Sequence, residues 1–187
     1  INKKAISFNP NFSDAFINVG LILHVQGKLD EAIASYKKAL AIDPNYAEAY
    51  CNMGNILQDQ DKLDEAIQSY KKALAINPNY FGAYNNMGSI FHDQGKLEAA
   101  VEAYNQAISI KPNYAQPYNN MGSIFRDKGN LDIAFASYKK ALSIDPNYAE
   151  AYCNMGNVLQ DQGKLDEAMD AYKKSLSLIP NYAEAHQ

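Results

Sequence analysis

Tryptophan is missing from this 187-residue chain, and cysteine appears only twice, as Cys51 and Cys153. Two cysteines exclude a scaffold built on disulfides. Long apolar runs are also missing, and none approaches the roughly 20 residues that a transmembrane helix needs. No apolar segment of a signal peptide stands near Ile1. The start at Ile rather than Met is that of a processed chain or of a piece of a longer one. These absences set the expectation of a cytoplasmic protein with no membrane partner. Basic charge is in short supply: 17 Lys and Arg face 21 Asp and Glu, for a net charge of −4. Nucleic-acid modules carry a basic footprint, so no nucleic-acid partner is expected. What remains, 47% hydrophobic and 20% charged residues, is the composition of an ordinary globular protein.

The organisation lies in the prolines. Six of the seven fall at 10, 44, 78, 112, 146 and 180, a strict period of 34. Aligned on them, the chain reads as one array of five full repeats at 13–46, 47–80, 81–114, 115–148 and 149–182. Residues 1–12 read as the end of a preceding repeat and 183–187 as the start of a further one. With positions counted from 1 to 34 in each repeat, position 8 is always Gly and position 20 always Ala. Position 4 is always aromatic, and all 14 tyrosines sit at position 4, 24 or 34.

Each repeat is predicted to form two helices. In the second repeat Asn45 offers an N-cap with Glu48 three residues on, followed by Tyr50, Met53 and Leu57 at helical spacing. Position 15 is Gly27, Gly95, Gly129 and Gly163, with Asp61 once, which suits the left-handed residue that ends a helix. The second helix opens with acids and is expected to close on its Lys-Lys pair, complementing the helix dipole. Small residues at positions 8 and 20 let the two helices approach, and the aromatics fill the space beside them. One such hairpin cannot bury its apolar faces, so the repeats must stack.

This pattern resembles the tetratricopeptide repeat (TPR) family over the whole of 13–182. The resemblance implies an all-α, right-handed superhelical solenoid of helix-turn-helix repeats with the first helices lining a groove. It implies a protein- or peptide-binding scaffold rather than an enzyme. The pentatricopeptide family, with its 35-residue period and basic RNA-binding faces, fits less well.

No catalytic constellation is visible, and no cofactor or metal is expected. His24 and His92 share position 12 but lie two repeats apart, and Cys51 and Cys153 lie three apart. The groove is expected to carry positions 2, 5, 6, 9, 12 and 13. Position 6 is Asn in every repeat: Asn18, Asn52, Asn86, Asn120 and Asn154. Asn is a mediocre helix former, so its return at one helical position asks for a reason. One reason is internal, a hydrogen bond to a neighbouring helix. The other is a ladder of amides that holds extended polypeptide, because an amide donates and accepts at once. O-GlcNAc transferases carry a similar Asn ladder that grips substrate polypeptide, so a second function is a substrate-recruiting segment of a larger enzyme such as a glycosyltransferase.

Position 13 is Asp59, Asp93, Asp127 and Asp161. With Glu48 and Glu150, and opposed mainly by Arg126, these acids are expected to favour neutral or basic ligands. The Lys and Arg clamp that TPR proteins use for a chaperone's terminal carboxylate is missing. In the first repeat positions 5, 9 and 13 are Ile17, Leu21 and Val25, one apolar stripe. It is expected to meet a ligand's apolar residue or to make a homo-oligomer through the N-terminal end.

Overall fold

The computed structural model describes residues 10–178. Every element among them is an α-helix: α1 (Pro10–Val25), α2 (Leu29–Ile42), α3 (Ala47–Asp59), α4 (Leu63–Ile76), α5 (Phe81–Asp93), α6 (Leu97–Ile110), α7 (Ala115–Asp127), α8 (Leu131–Ile144), α9 (Ala149–Asp161) and α10 (Leu165–Leu178). Two compact bodies are distinguished, one up to Ile90 and one from Phe91. In the first, α1 packs on α2, α3 on α4, and α2 on α3. In the second, α7 packs on α8 and α9 on α10, and α6 with α7 and α8 with α9 join consecutive repeats. Within each body, consecutive helices thus pair as hairpins, and α2 with α3, α6 with α7 and α8 with α9 join a second helix to the next first helix. The expected partial repeats at the ends fall largely outside the described residues.

The hairpins close on a glycine–tyrosine contact. Tyr36, Tyr70 and Tyr138, all at position 24, are at most 1% exposed. Each lies flat on the position-8 glycine of its own repeat. A Cβ placed on Gly54, Gly122 or Gly156 would come within 2.5, 2.6 or 2.7 Å of the ring of Tyr70, Tyr138 or Tyr172. The small residue is therefore a seat for the aromatic, and Gly is demanded there by space. At the turn the demand is conformational: Gly27, Gly95, Gly129 and Gly163 have φ between 71° and 76°, and Asp61 takes the same region at 58°.

Two local expectations are corrected. Asn45 does not cap α3; Tyr46 precedes the helix and no side chain caps it. The side chain that orders this corner is Asp43, whose Oδ1 accepts from the Asn45 backbone N–H at 3.0 Å. Asn77 and Asp145 do the same for Asn79 and Asn147. A short Asx side chain just after the helix reaches the N–H two residues on, and the proline between them donates nothing. The Lys-Lys pairs also do not close the second helix, whose last turn holds no basic residue in α2, α4 or α8. Instead Lys38, Lys72 and Lys140 stand over the position-4 rings of Phe16, Tyr50 and Tyr118 at 5.7, 5.6 and 5.9 Å.

Candidate functional site

The first helices carry the candidate site, and their buried face is wider than one apolar stripe. Position 5 is buried in the first four repeats. Ile17, Cys51, Asn85 and Asn119 are 3%, 4%, 1% and 1% exposed. Ile17 belongs to the cluster of Ala32, Tyr36, Ala39, Ala49 and Ile56. The expected stripe of Ile17, Leu21 and Val25 therefore divides: Ile17 is core, while Leu21 is 38% and Val25 91% exposed. A first helix touches its own second helix, the preceding second helix and the next first helix, so more of its circumference is covered than in a surface helix. Burial pushes the Cys51 thiol up to about 11, with a hydrogen bond to Tyr80 opposing it. Cys153, at the same position in the last repeat, is exposed.

Position 6 lies at the edge of this buried face. Asn18 is exposed, and Asn52, Asn86, Asn120 and Asn154 are half-buried. Asn86 Nδ2 donates to Asn55 Oδ1 of the preceding repeat at 2.8 Å, and its own Oδ1 accepts from Asn85 Nδ2 at 3.1 Å. Asn154 Nδ2 donates to Asn119 Oδ1 at 3.1 Å, while Asn119 Nδ2 donates to Glu150 at 3.0 Å. These bonds tie the amides to the preceding repeat.

Position 9 is the hub of the network. Asn55 Oδ1 also accepts the Tyr70 hydroxyl at 2.9 Å, Asn157 Oδ1 accepts that of Tyr172 at 2.8 Å, and Ser123 Oγ lies 3.1 Å from that of Tyr138. Burial raises the pKa of Tyr70 and Tyr138, which keeps them as hydroxyl donors. In the first repeat the hub is Leu21. There the Tyr36 hydroxyl and Asn52 Nδ2 are buried with no hydrogen-bond partner. They are the two donors whose counterparts, Tyr70 and Asn86, meet on Asn55.

The position-13 acids are exposed, and a His or Arg side chain at position 12 of the preceding repeat faces three of them. His24 Nε2 lies 2.9 Å from Asp59, His92 Nε2 3.1 Å from Asp127, and Arg126 Nε donates to Asp161 at 2.7 Å. The acids are opposed by two histidines as well as by Arg126. Asp93 is exposed. Of the three acids at position 2, Glu48 is exposed and Glu150 accepts from Asn119. Asp14, also at position 2, accepts the Tyr46 hydroxyl at 2.8 Å; that bond and burial push Tyr46 up to about 12. Among the described residues no three His, Cys, Asp or Glu gather as a metal site, and no helix is long and apolar enough to cross a membrane.

Family models described as TPR repeat match residues 20–61, 54–95, 88–125 and 122–163, and models described as tetratricopeptide repeat match 2–34 and 149–182. A comparison with curated proteins finds no match. Among solved structures, MamA is 31% identical over 89% of this chain and 97% of its own, with a TM-score of 0.72. A thermophilic TPR protein of Thermus thermophilus is 24% identical over 92% and 94%, with a TM-score of 0.76. YrrB, described as a TPR protein with an unusual peptide-binding site, is 24% identical over 97% and 94%, with a TM-score of 0.65. The last two likenesses concern the fold.

Proposed function

Because the chain belongs to the tetratricopeptide repeat family, we propose that it is a non-catalytic scaffold that binds protein or peptide in extended form along the position-6 asparagines. The observation that carries this reading is the tethering of Asn86 and Asn154 to Asn55 and Asn119. An amide has two N–H donors and two acceptor lone pairs. One bond to the preceding repeat fixes the amide plane and leaves capacity for a peptide backbone. An oriented amide loses less entropy on binding than a free one. The exposed acids at position 13 favour a neutral or basic segment, and Leu21 with Val25 offers an apolar contact at the N-terminal end. YrrB's description as a peptide-binding TPR protein fits the same reading.

The test starts with a pull-down on the intact chain, read by mass spectrometry, to obtain a partner peptide. Asn52, Asn86, Asn120 and Asn154 are then replaced together by Ala. Affinity for that peptide is expected to fall at least tenfold while the helical circular-dichroism signal stays. Unchanged affinity in a helical variant removes the ladder from the mechanism.

A further inference from the structure

We propose that a cleft between α2 and α4 binds an amphipathic helical segment of a partner protein, with the segment's apolar side chains on the cleft floor and its carboxylates toward Lys37 and Lys72. The cleft follows from the joint between repeats, which recurs. Ile56, Ile124 and Val158, all at position 10 of a first helix, are 0% exposed. Ile56 is buried against Ala32 and Tyr36 of the preceding second helix, Ile124 against Ala100 and Tyr104, and Val158 against Ala134 and Tyr138. A polar clasp accompanies each contact. Position 14 donates to the position-18 acid of the preceding repeat: Gln60 to Asp30 at 3.2 Å, Lys128 to Glu98 at 2.9 Å and Gln162 to Asp132 at 3.0 Å. In the first body the joint leaves a cavity of about 550 Å³, walled by α2 and α4 and floored by Met53 and Leu57 of α3. That volume is within the roughly 300–1,000 Å³ of ligand sites. None of its lining residues is at position 6 or 13, so it is separate from the asparagine ladder and its acids.

In the second body a larger side chain stands at the corresponding place. Phe135, at position 21 of α8, packs on the cluster of Ala134, Tyr138 and Val158 and also on that of Leu159, Ala168 and Ala171. At position 21 of α2 the residue is Ile33, which packs on its own cluster and lines the cavity. The walls beside it carry the small side chains of Ala34 and Ser69. Apolar surface is thus left in the cleft, and covering it is favourable.

Charge selects the occupant. Lys37 lines the cleft from α2 and Lys72 from α4, and both are exposed. Lys38 and Lys71 adjoin them, and no acid lies among residues 32–42 or 66–76. The later halves of both walls are therefore basic in a chain of net charge −4. In α6 the corresponding pair is Asn105 and Gln106. Lys72 Nζ is held 5.6 Å from the centre of the Tyr50 ring, which orders the ammonium before a ligand arrives. The other end of the cleft is different. Asp30 is engaged by Gln60, Lys62 donates to Gln60 Oε1 at 2.8 Å, and Glu65 is exposed. Like charges placed together are costly, so Glu65 turns the segment's acids toward Lys37 and Lys72 and fixes its direction. Asp30 and Lys37 lie about 10 Å apart along α2, two turns of helix. An apolar groove walled by helices suits an amphipathic helix with anchors at i, i+4 and i+7.

The experiment is fluorescence anisotropy on the full chain with a labelled helical peptide that carries Leu at i, i+4 and i+7, Glu at one end, and Ala and Gln elsewhere. Saturable binding is expected. Lys37→Glu with Lys72→Glu is expected to weaken it about tenfold. Ile33→Phe, which gives α2 the side chain that α8 has, is expected to weaken it as much with no change of charge. Both lysines are exposed, so the double variant should fold, which circular dichroism checks; Lys37→Gln with Lys72→Gln replaces it if it does not. A peptide that fails to bind overturns the proposal, and so does binding that survives the lysine reversal or Ile33→Phe. Binding lost when Asn52, Asn86, Asn120 and Asn154 are replaced by Ala, but kept in the lysine variant, also overturns it, because it places the peptide in the groove. Capture of the wild type by phosphatidylserine vesicles without peptide binding overturns it too, because it makes the basic face a lipid contact.

Discussion

Tyr70 and Asn86, on different repeats, donate to one oxygen: Asn55 Oδ1 accepts the hydroxyl at 2.9 Å and the amide at 2.8 Å. One small polar residue thus satisfies the centre of its own hairpin and the edge of the next. Where the first repeat has Leu21, the equivalent donors on Tyr36 and Asn52 are buried without partners. Leu21→Asn should restore the hub. An unsatisfied buried polar group costs about 1–3 kcal/mol, so the substitution is expected to stabilise the N-terminal repeats by roughly 1–2 kcal/mol. Urea unfolding followed by circular dichroism reads this as a raised midpoint; a lowered midpoint would show that the aliphatic contact of Leu21 matters more.

Two glycine substitutions should separate space from conformation. Gly54→Ala drives a methyl into the ring of Tyr70 at 2.5 Å. Overpacking a close contact costs about 1–3 kcal/mol or more. Gly95→Ala meets no atom within 4 Å and suffers only from φ of +71°, a strain of about 1 kcal/mol. Melting temperatures should rank wild type above Gly95→Ala and that above Gly54→Ala. The reverse order would contradict the seating of the tyrosine.

The two cysteines should differ sharply toward an alkylating agent. Cys51 is buried with its thiol pushed up to about 11, while Cys153 is exposed. The thiolate is the reactive form. At pH 8 iodoacetamide is expected to modify Cys153 at least tenfold faster, as peptide mass spectrometry would show. The raised folded value also gives the linkage a sign. Stability from the protonated Cys51 is present below the ordinary thiol value near 9 and is lost as pH rises toward 11. Equal labelling of the two would refute the burial of Cys51.

Ligand binding should weaken with salt if the position-13 acids attract a basic segment. Raising ionic strength from ~0.05 to ~0.5 M shortens the screening length from about 14 to about 4 Å. The dissociation constant is expected to rise severalfold, and less so in Asp127→Asn with Asp161→Asn. The same double substitution should barely change stability, because the Arg126–Asp161 pair is 38% and 39% exposed and such pairs contribute about 0–1 kcal/mol. Salt-independent binding would remove charge from the recognition.

In hydrogen exchange α1 and α10 should exchange their amide hydrogens before α3 and α8. Ile22 and Val19 on α1 and Leu165 and Met169 on α10 are exposed, whereas α3 and α8 are packed between neighbours. Repeat arrays open first where their helices are least packed. Slowest exchange at α1 or α10 would contradict this.

The repeat, the helix hairpins and the glycine–tyrosine seat were legible because they depend on residue types that recur at fixed spacing. The turn at position 15 was legible for the same reason, including Asp61 in the left-handed region. Position 5 was misplaced because Ile17, Cys51, Asn85 and Asn119 share no polarity, although they share burial. Position 10 was overlooked because a helix covered on several sides has no single apolar stripe to read. The Lys-Lys pairs misled because their partner is an aromatic ring elsewhere in the hairpin, not the helix end. The asparagines were singled out by recurrence, but their partners at position 9 and at position 5 became visible only with the register between neighbouring helices.

The joint between repeats makes the array's length a free variable. Every joint described uses position 10 on positions 20 and 24, with position 14 on position 18 where the clasp forms. Deleting residues 47–80 would set Ile90 where Ile56 now lies on Tyr36, and Gln94 where Gln60 now reaches Asp30, with no new kind of contact. A gene encoding such a chain can shed or duplicate 34 codons by unequal crossing-over and still specify a folded product. Natural variation in this protein should accordingly come as whole multiples of that block, since any other insertion would break the register on which each joint depends.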